Sequence, residues 1–206
     1  MKEEEIHAEL ASIRNLMERS SKFISLSGLS GVMAGIYALT GSYIGYSIVR
    51  GKYGGTPMTG TYADDPGTYH RLIIIALSIL FLSIATCIML SIRQARKTGE
   101  TYWNPVSRRM LISMSLPLAT GGAFILILLL RGQPDLIAAS CLIFYGLSLI
   151  AASEYTYTDI RWLGICEVLL GLFAALFPSA GFICWLTGFG ILHIIYGTVM
   201  HFKYDR

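Results

Sequence analysis

The hydrophobic pattern divides the 206-residue chain into six apolar stretches separated by short polar segments. A hydrocarbon core of roughly 30 Å requires about 20 apolar helical residues. The pattern lacks the alternation of apolar and polar positions that is typical of membrane β-strands. It therefore predicts an all-α integral membrane protein, a six-transmembrane-helix bundle. The predicted spans are residues 23–49, 72–92, 110–130, 136–153, 160–177 and 180–200.

Composition strengthens this class assignment. Hydrophobic residues make up 54% of the chain and charged residues only 14%, and the mean hydropathy is +0.58. Soluble domains carry about 25% charged residues, so most soluble enzymes are excluded. The net charge of +3 gives no argument for a nucleic-acid partner.

The distribution of basic residues predicts the orientation in the membrane. If the N-terminus is cytoplasmic, twelve basic residues fall on the inner side and four on the outer side, which satisfies the positive-inside rule. We therefore expect a multi-pass protein of the plasma (inner) membrane with both termini in the cytoplasm. The outer four are Arg50, Lys52, Arg71 and Arg131, and the inner twelve are Lys2, Arg14, Arg19, Lys22, Arg93, Arg96, Lys97, Arg108, Arg109, Arg161, Lys203 and Arg206.

Residues 1–22 are predicted to form an amphipathic cytoplasmic or interfacial helix ahead of a single transmembrane domain, residues 23–206. Helices that bind membrane surfaces are usually rich in Lys and Arg, but this segment carries five glutamates. We expect residues 3–21 to pack on the protein's own cytoplasmic face or to contact a protein partner. A solvated lead-in helix is the alternative.

Small residues at four-residue spacing predict where helices approach each other closely. The first span carries Ser27, Gly31 and Gly35, followed by Gly41 and Gly45. This pattern predicts that the span is central in the bundle or forms a homodimer contact, and packing within one chain ranks ahead of dimerisation.

Glu167 and His193 are the sharpest functional signal in the sequence. Each lies three residues after one glycine and four before another, Gly164 and Gly171 for the acid and Gly190 and Gly197 for the histidine. Both are thirteen residues from a turn centred near Ala180, so each lies roughly 20 Å from that turn, at the same depth. Contact between the two is therefore geometrically allowed.

Three roles are open for this intramembrane polar pair. The pair could hold the bundle together, act in a proton or ion relay, or contact a small ligand. Burial alone disfavours charge on both groups, and their mutual attraction favours it. Five further polar side chains could extend the pair into a track: Glu154, Tyr155, Thr187, Tyr196 and His201.

Catalytic and cofactor signals are weak. The sequence carries no G-x-S-x-G, H-E-x-x-H or P-loop motif, and its four cysteines have no C-x-x-C spacing. We expect no metal, no cofactor and no catalytic residue. A membrane-embedded enzyme would need a third polar group beside the pair, and Tyr145, Ser148 and Glu154 are the nearest in topology.

Pro134 and Asp135 precede the fourth span, and Asp135 is expected to cap that helix. The last predicted hairpin has a further recognisable pattern of glycines and a proline. It resembles the HdeD-like family of small multi-span bacterial membrane proteins. The resemblance implies a six-helix inner-membrane protein linked to acid stress, with no active site to transfer. It rests on about 40 residues, with Gly164, Gly171, Pro178, Gly190 and Gly197 as the matching positions.

The functional expectation is a non-enzymatic accessory protein of the inner membrane, serving a membrane stress response or assembly with a partner. The alternative is a small transporter or proton-coupled permease that uses Glu167 and His193 as its titrating pair.

Overall fold

The structure, a computed structural model, describes residues 27–53, 65–99 and 101–204. Within these ranges the chain is helical and forms no strand, which confirms the predicted all-α class. The predicted helix at 1–22 lies outside the described residues. The elements are α1 (Gly28–Tyr53), α2 (Pro66–Thr98), α3 (Pro105–Leu130), α4 (Ile137–Ala152), α5 (Asp159–Leu176), α6 (Gly181–Trp185), a π-helical segment (Leu186–Leu192) and α7 (His193–Tyr204). The last three are continuous and are called the sixth long helix below.

Five of the described helices are long and apolar enough to cross a membrane. The exception is α5, because its 18 residues include three charged groups, Asp159, Arg161 and Glu167. By length and composition the fold is therefore that of a multi-pass membrane protein, with five candidate spans and one more polar helix. The five candidate spans are Gly28–Lys52, His70–Lys97, Pro105–Leu130, Pro134–Ala152 and Pro178–Tyr204.

Side chains cap two of these helices. The Asp65 carboxylate accepts the backbone N–H of Gly67 at the start of α2. At the start of α3, Asn104 and Ser107 form a reciprocal capping box. The prediction that Asp135 caps the fourth span is wrong. Pro134–Leu136 forms a 3₁₀ turn that contains Asp135, and no side chain caps α4.

The helices pack in a definite order of neighbours. On one side α1 contacts α2, and on the other it contacts the sixth long helix. In turn, α4 packs against α3 and α5, and the first half of the sixth long helix closes against both α4 and α5. Among the described residues α2 and α3 are therefore peripheral, and none of the most apolar stretch of α2 is buried.

Glycines allow α1 to pack directly on the backbone of the sixth long helix. A Cβ atom at Gly197 would lie 2.5 Å from the backbone nitrogen of Val32 and 2.7 Å from the carbonyl oxygen of Gly28. One at Gly31 would lie 3.2 Å from Cα of Gly197. The backbone contacts at Gly197 leave no room for a side chain and those at Gly31 leave little, so this part of the predicted small-residue face of the first span is occupied within the same chain.

A second close approach joins α4 to α5. Here a Cβ atom at Gly146 would lie 2.6 Å from the carbonyl oxygen of Gly164, and one at Gly171 would lie 2.9 Å from the backbone nitrogen of Ile143. Two other glycines of α1 contact α2 instead, since Gly41 packs on Ile79 and Gly45 on Leu72. Two glycine-lined contacts thus join the four inner helices in two pairs.

An ion pair joins the two ends of the C-terminal hairpin. The Lys203 ammonium donates to the Asp159 carboxylate over 2.6 Å, and the Tyr204 hydroxyl donates to the same oxygen over 2.8 Å. The Tyr204 ring stacks on that of Tyr157. The hydrogen bond from Lys203 is the main cause that lowers the pKa of the Asp159 carboxyl below its ordinary value of 3.8.

We predict that Gly197→Ala destabilises the fold by about 1–3 kcal/mol, because the added methyl would overlap the α1 backbone. Thermal unfolding of the purified protein in detergent measures this. Gly122→Ala is the matched control, because nothing lies within 4 Å of a Cβ atom there. Equal melting temperatures for the two variants would contradict the glycine contact.

We predict that Asp159→Asn removes part of the pH dependence of stability. A carboxyl whose pKa is lowered in the folded state contributes stability above its unfolded pKa and loses it as pH falls through the folded value. The stability difference between wild type and Asp159→Asn should therefore shrink between about pH 6 and about pH 3. The exposed Asp135→Asn is the control, and a difference that is constant with pH would refute the prediction.

Candidate functional site

The structure brings Glu167 and His193 into contact at the junction of three helices. Glu167 lies on α5, and His193 begins α7 immediately after the π-helical segment. The Nδ1 atom of His193 lies 3.4 Å from Oε1 of Glu167, and both side chains are buried, the carboxyl completely. The two side chains, which residue counts place at the same depth, are therefore in direct contact.

Tyr145 of α4 is the third member of this cluster. Its hydroxyl lies 2.9 Å from Nε2 of His193, and the two rings are tilted against each other. Phe189 packs against both rings, with its centroid 5.1 Å from that of Tyr145 and 5.8 Å from that of His193. We call Tyr145, Glu167 and His193 the polar cluster.

The hydrogen bonds of the imidazole define its arrangement. Nδ1 lies 2.9 Å from the carbonyl oxygen of Gly188, and because a carbonyl only accepts, Nδ1 carries the hydrogen. In a neutral ring Nε2 then accepts from the Tyr145 hydroxyl. Both ring nitrogens are satisfied without the carboxyl, so the 3.4 Å approach of Glu167 to Nδ1 is a close contact without a hydrogen bond.

The π-helical segment supplies the carbonyl that His193 uses. The backbone N–H of His193 donates to Gly190, while its ring reaches back five residues to Gly188. A Cβ atom at Gly188 would lie 2.5 Å from Oε2 of Glu167 and 2.6 Å from Leu142. Glycine at position 188 therefore lets the ends of the Glu167 and Leu142 side chains lie close to the helix without either having to move, and π-helical turns are frequent at functional sites.

Neither carboxylate oxygen of Glu167 has a hydrogen-bond partner among the described residues. Buried polar atoms are almost always bonded, so such an exception in a native fold calls for an explanation. The carboxyl lies beside Gly188, which has no side chain that could donate to it. The cluster therefore combines a satisfied imidazole with an unsatisfied acid.

The residues proposed to extend the pair lie apart from this contact or on its border. Thr187 is half-buried in the π-helical segment. Tyr196 packs with Leu149, Ile160 and Leu163, and its buried hydroxyl has no hydrogen-bond partner in the described part of the chain.

Three other polar candidates do not reach the polar cluster. Glu154 is exposed after the end of α4, Tyr155 packs with Met110 and Ala152, and the His201 ring contacts Phe202. Ser148, named from the sequence as a candidate third polar group beside the pair, donates its hydroxyl hydrogen to the backbone carbonyl of Tyr145.

The glycines of the two motifs contact different helices. Gly164 and Gly171 pack on α4, whereas Gly190 contacts Leu39 of α1. Gly35 in turn approaches the carbonyl oxygen of Gly190, and Gly45 contacts Leu72 of α2. In the sixth long helix Gly190 and Gly197 therefore face α1, while the His193 side chain reaches α4 and α5.

The polar cluster has no ligand set for a metal. No group of three or more His, Cys, Asp or Glu side chains that could hold an ion occurs in residues 27–53, 65–99 and 101–204. Chemically, the cluster can hold a proton, stabilise helix contacts through the imidazole, or do both.

The fold and the cluster define an all-helical, multi-pass membrane protein with a buried acid–imidazole–phenol contact. No protein-family model, curated protein or solved structure matches this chain. The similarity of its last hairpin to the HdeD-like family stays a prediction from the glycines and proline given above.

We predict that Tyr145→Phe lowers stability by about 1 kcal/mol, since it leaves Nε2 of His193 buried without its partner. Intramembrane hydrogen bonds average about 0.6 kcal/mol, so the loss is modest. Thermal unfolding in detergent provides the measurement, and Tyr43→Phe on the 73% exposed Tyr43 is the control. If both variants melt together, the hydroxyl does not bond to the ring.

Proposed function

We propose that this chain is a six-span, non-enzymatic protein of the plasma (inner) membrane with both termini cytoplasmic. Its role is accessory, in a membrane stress response or in assembly with a partner protein. The polar cluster serves this role by fixing α4, α5 and the sixth long helix against one another. The complete burial of Glu167 is the observation that carries the proposal.

The proposal counts α5 as the sixth span, although its charge content separates it from the other five. Its 18 residues extend about 27 Å, close to the thickness of the hydrocarbon core. Asp159 pairs with Lys203 at one end of the helix, and Glu167 contacts His193 near its middle. An even number of spans agrees with two cytoplasmic termini and with the bias of basic residues.

Packing around Glu167 supports a structural role for the cluster. Transport requires that the titrating group meet water from each side in turn, and such a group lies beside a polar, water-filled space. Glu167 instead is completely buried, and its carboxyl lies so close to Gly188 that a methyl group there would overlap Oε2. His193 is only 5% exposed.

A second candidate function, a proton-coupled permease, draws on a different observation. Both carboxylate oxygens of Glu167 lack a hydrogen-bond partner among the described residues, which is an unusual state for a purely structural acid. An acid in the membrane interior is costly and often functional. In that case Glu167 would exchange protons during a conformational change that opens the contact with Gly188.

Proton flux distinguishes the two functions. We predict that wild type and Glu167→Gln, each reconstituted in liposomes, both move protons no faster than protein-free liposomes under an imposed potential. A pH-sensitive dye inside the vesicles measures this. Flux through wild type that Glu167→Gln abolishes, with the variant still folded, would overturn the accessory role in favour of the permease.

Stability tests the structural part of the same proposal. Glu167→Ala should lower the unfolding free energy by about 2 kcal/mol or more, because it leaves a cavity beside His193. Cys166→Ala is the control, since this neighbouring side chain is exposed. A Glu167→Ala protein as stable as the control would show that the cluster does not hold the bundle.

A further inference from the structure

One end of α2 carries a cavity whose described lining changes from apolar to basic along the helix. Its volume is about 510 Å³, within the range of about 300–1,000 Å³ typical of small-molecule sites. All of its described lining residues belong to α2: Met89, Ile92, Arg93, Arg96 and Lys97. Their spacing of three and four residues places them on a single helix face.

This face is opposite to the buried side of the helix. Ser91 and Ala95 are the buried residues of this stretch, and Met89 is 63% exposed. The lining therefore points away from the protein interior and toward the surroundings of a helix that is lipid-facing over its most apolar stretch. From Met89 to Lys97 the face extends about 12 Å along the axis.

The three cations of this face have no acidic partner within the described ranges. The ion pairs found there involve Lys52 with Asp65, His193 with Glu167, and Lys203 with Asp159. Arg93, Arg96 and Lys97 are exposed at the last two turns of α2, just before Gly99 ends the helix. An anion can therefore approach all three without displacing an existing pair.

We propose that this cavity binds an anionic phospholipid. The order of groups along the face matches the order within such a lipid, because Met89 and Ile92 meet the acyl chains and the cations meet the phosphate. Arginine suits the phosphate particularly well, since its planar fork donates two parallel hydrogen bonds. The site rests on the membrane class of the fold and not on the accessory role or on proton transport.

Lipid retention tests the site in the full-length protein. The protein is purified from mixed micelles that contain equal amounts of phosphatidylglycerol and phosphatidylcholine, and native mass spectrometry counts the lipid that stays bound. Each basic residue near an anionic surface contributes about fivefold in binding. Wild type should retain phosphatidylglycerol preferentially, and Arg93→Gln/Arg96→Gln/Lys97→Gln should reduce that preference at least about tenfold.

A charge-matched control separates a built site from general surface charge. Arg108→Gln/Arg109→Gln/Arg161→Gln removes three exposed cations that belong to the same predicted side of the membrane but do not line the cavity. This variant should keep the wild-type preference. Equal losses in both triple variants, or no preference in wild type, would overturn the proposal.

Two further measurements test whether something other than a lipid occupies the cavity. Inorganic phosphate at millimolar concentration should leave lipid retention unchanged, and full displacement by phosphate would show a free-anion site instead. A zero-length carbodiimide cross-link from Lys97 to a glutamate of residues 3–21, with no lipid retained, would assign the cavity to the chain itself. Either result would refute lipid binding.

Discussion

Direct contact between helix backbones at glycine is the constraint on which the rest of this fold depends. In lipid, apolar side chains gain little by meeting each other, so helices associate where their backbones come close. Gly28, Gly31 and Gly197 provide this contact between α1 and the sixth long helix, and Gly146 and Gly164 provide it between α4 and α5. The inner helices are fixed by these contacts, and α2 and α3 are left with large apolar surfaces that suit lipid.

The same close packing produces the unusual chemistry at Glu167. Gly188 brings the backbone of the sixth long helix close to both the Glu167 carboxyl and the His193 ring. The ring donates a hydrogen bond to the Gly188 carbonyl. The acid is then enclosed at 3.4 Å from Nδ1 with no hydrogen bond of its own among the described residues. A charged side chain at the centre of a bilayer costs about 2.5–3.5 kcal/mol on insertion scales. No hydrogen bond from the described residues offsets such a cost at Glu167, and this distinguishes the site from ordinary helix contacts.

Sequence reasoning could predict the helices and the common depth of Glu167 and His193, because both depend on simple periodic quantities. Apolar length gave the helical spans, and residue counts from a turn gave the common depth of the two side chains. The rotation of each helix about its own axis cannot be derived from such counts. The π-helical segment adds a local departure from the 3.6-residue period, so Gly190 and Gly197 face α1 while His193 faces α4. Tyr145 lies in a uniformly apolar helix with no amphipathic pattern to mark it. Asp135 failed as a cap because Pro134 begins a 3₁₀ turn before α4.

The arrangement of neighbours also limits how the membrane can influence the polar cluster. The cavity at the end of α2 and the cluster at α4, α5 and α7 share no described residue, and the extensive contacts of α2 are with α1. On one face α1 meets Ile79 of α2 through Gly41, and on another it meets the His193 carbonyl through Gly31, at 3.4 Å from a Cβ position. Among the described helices, α1 is therefore the neighbour that lies between the cavity helix and His193. Its contact with α2 at Gly41 is made by the end of the Ile79 side chain, which can absorb a small displacement, whereas its contact with the sixth long helix at Gly31 is made by backbone atoms.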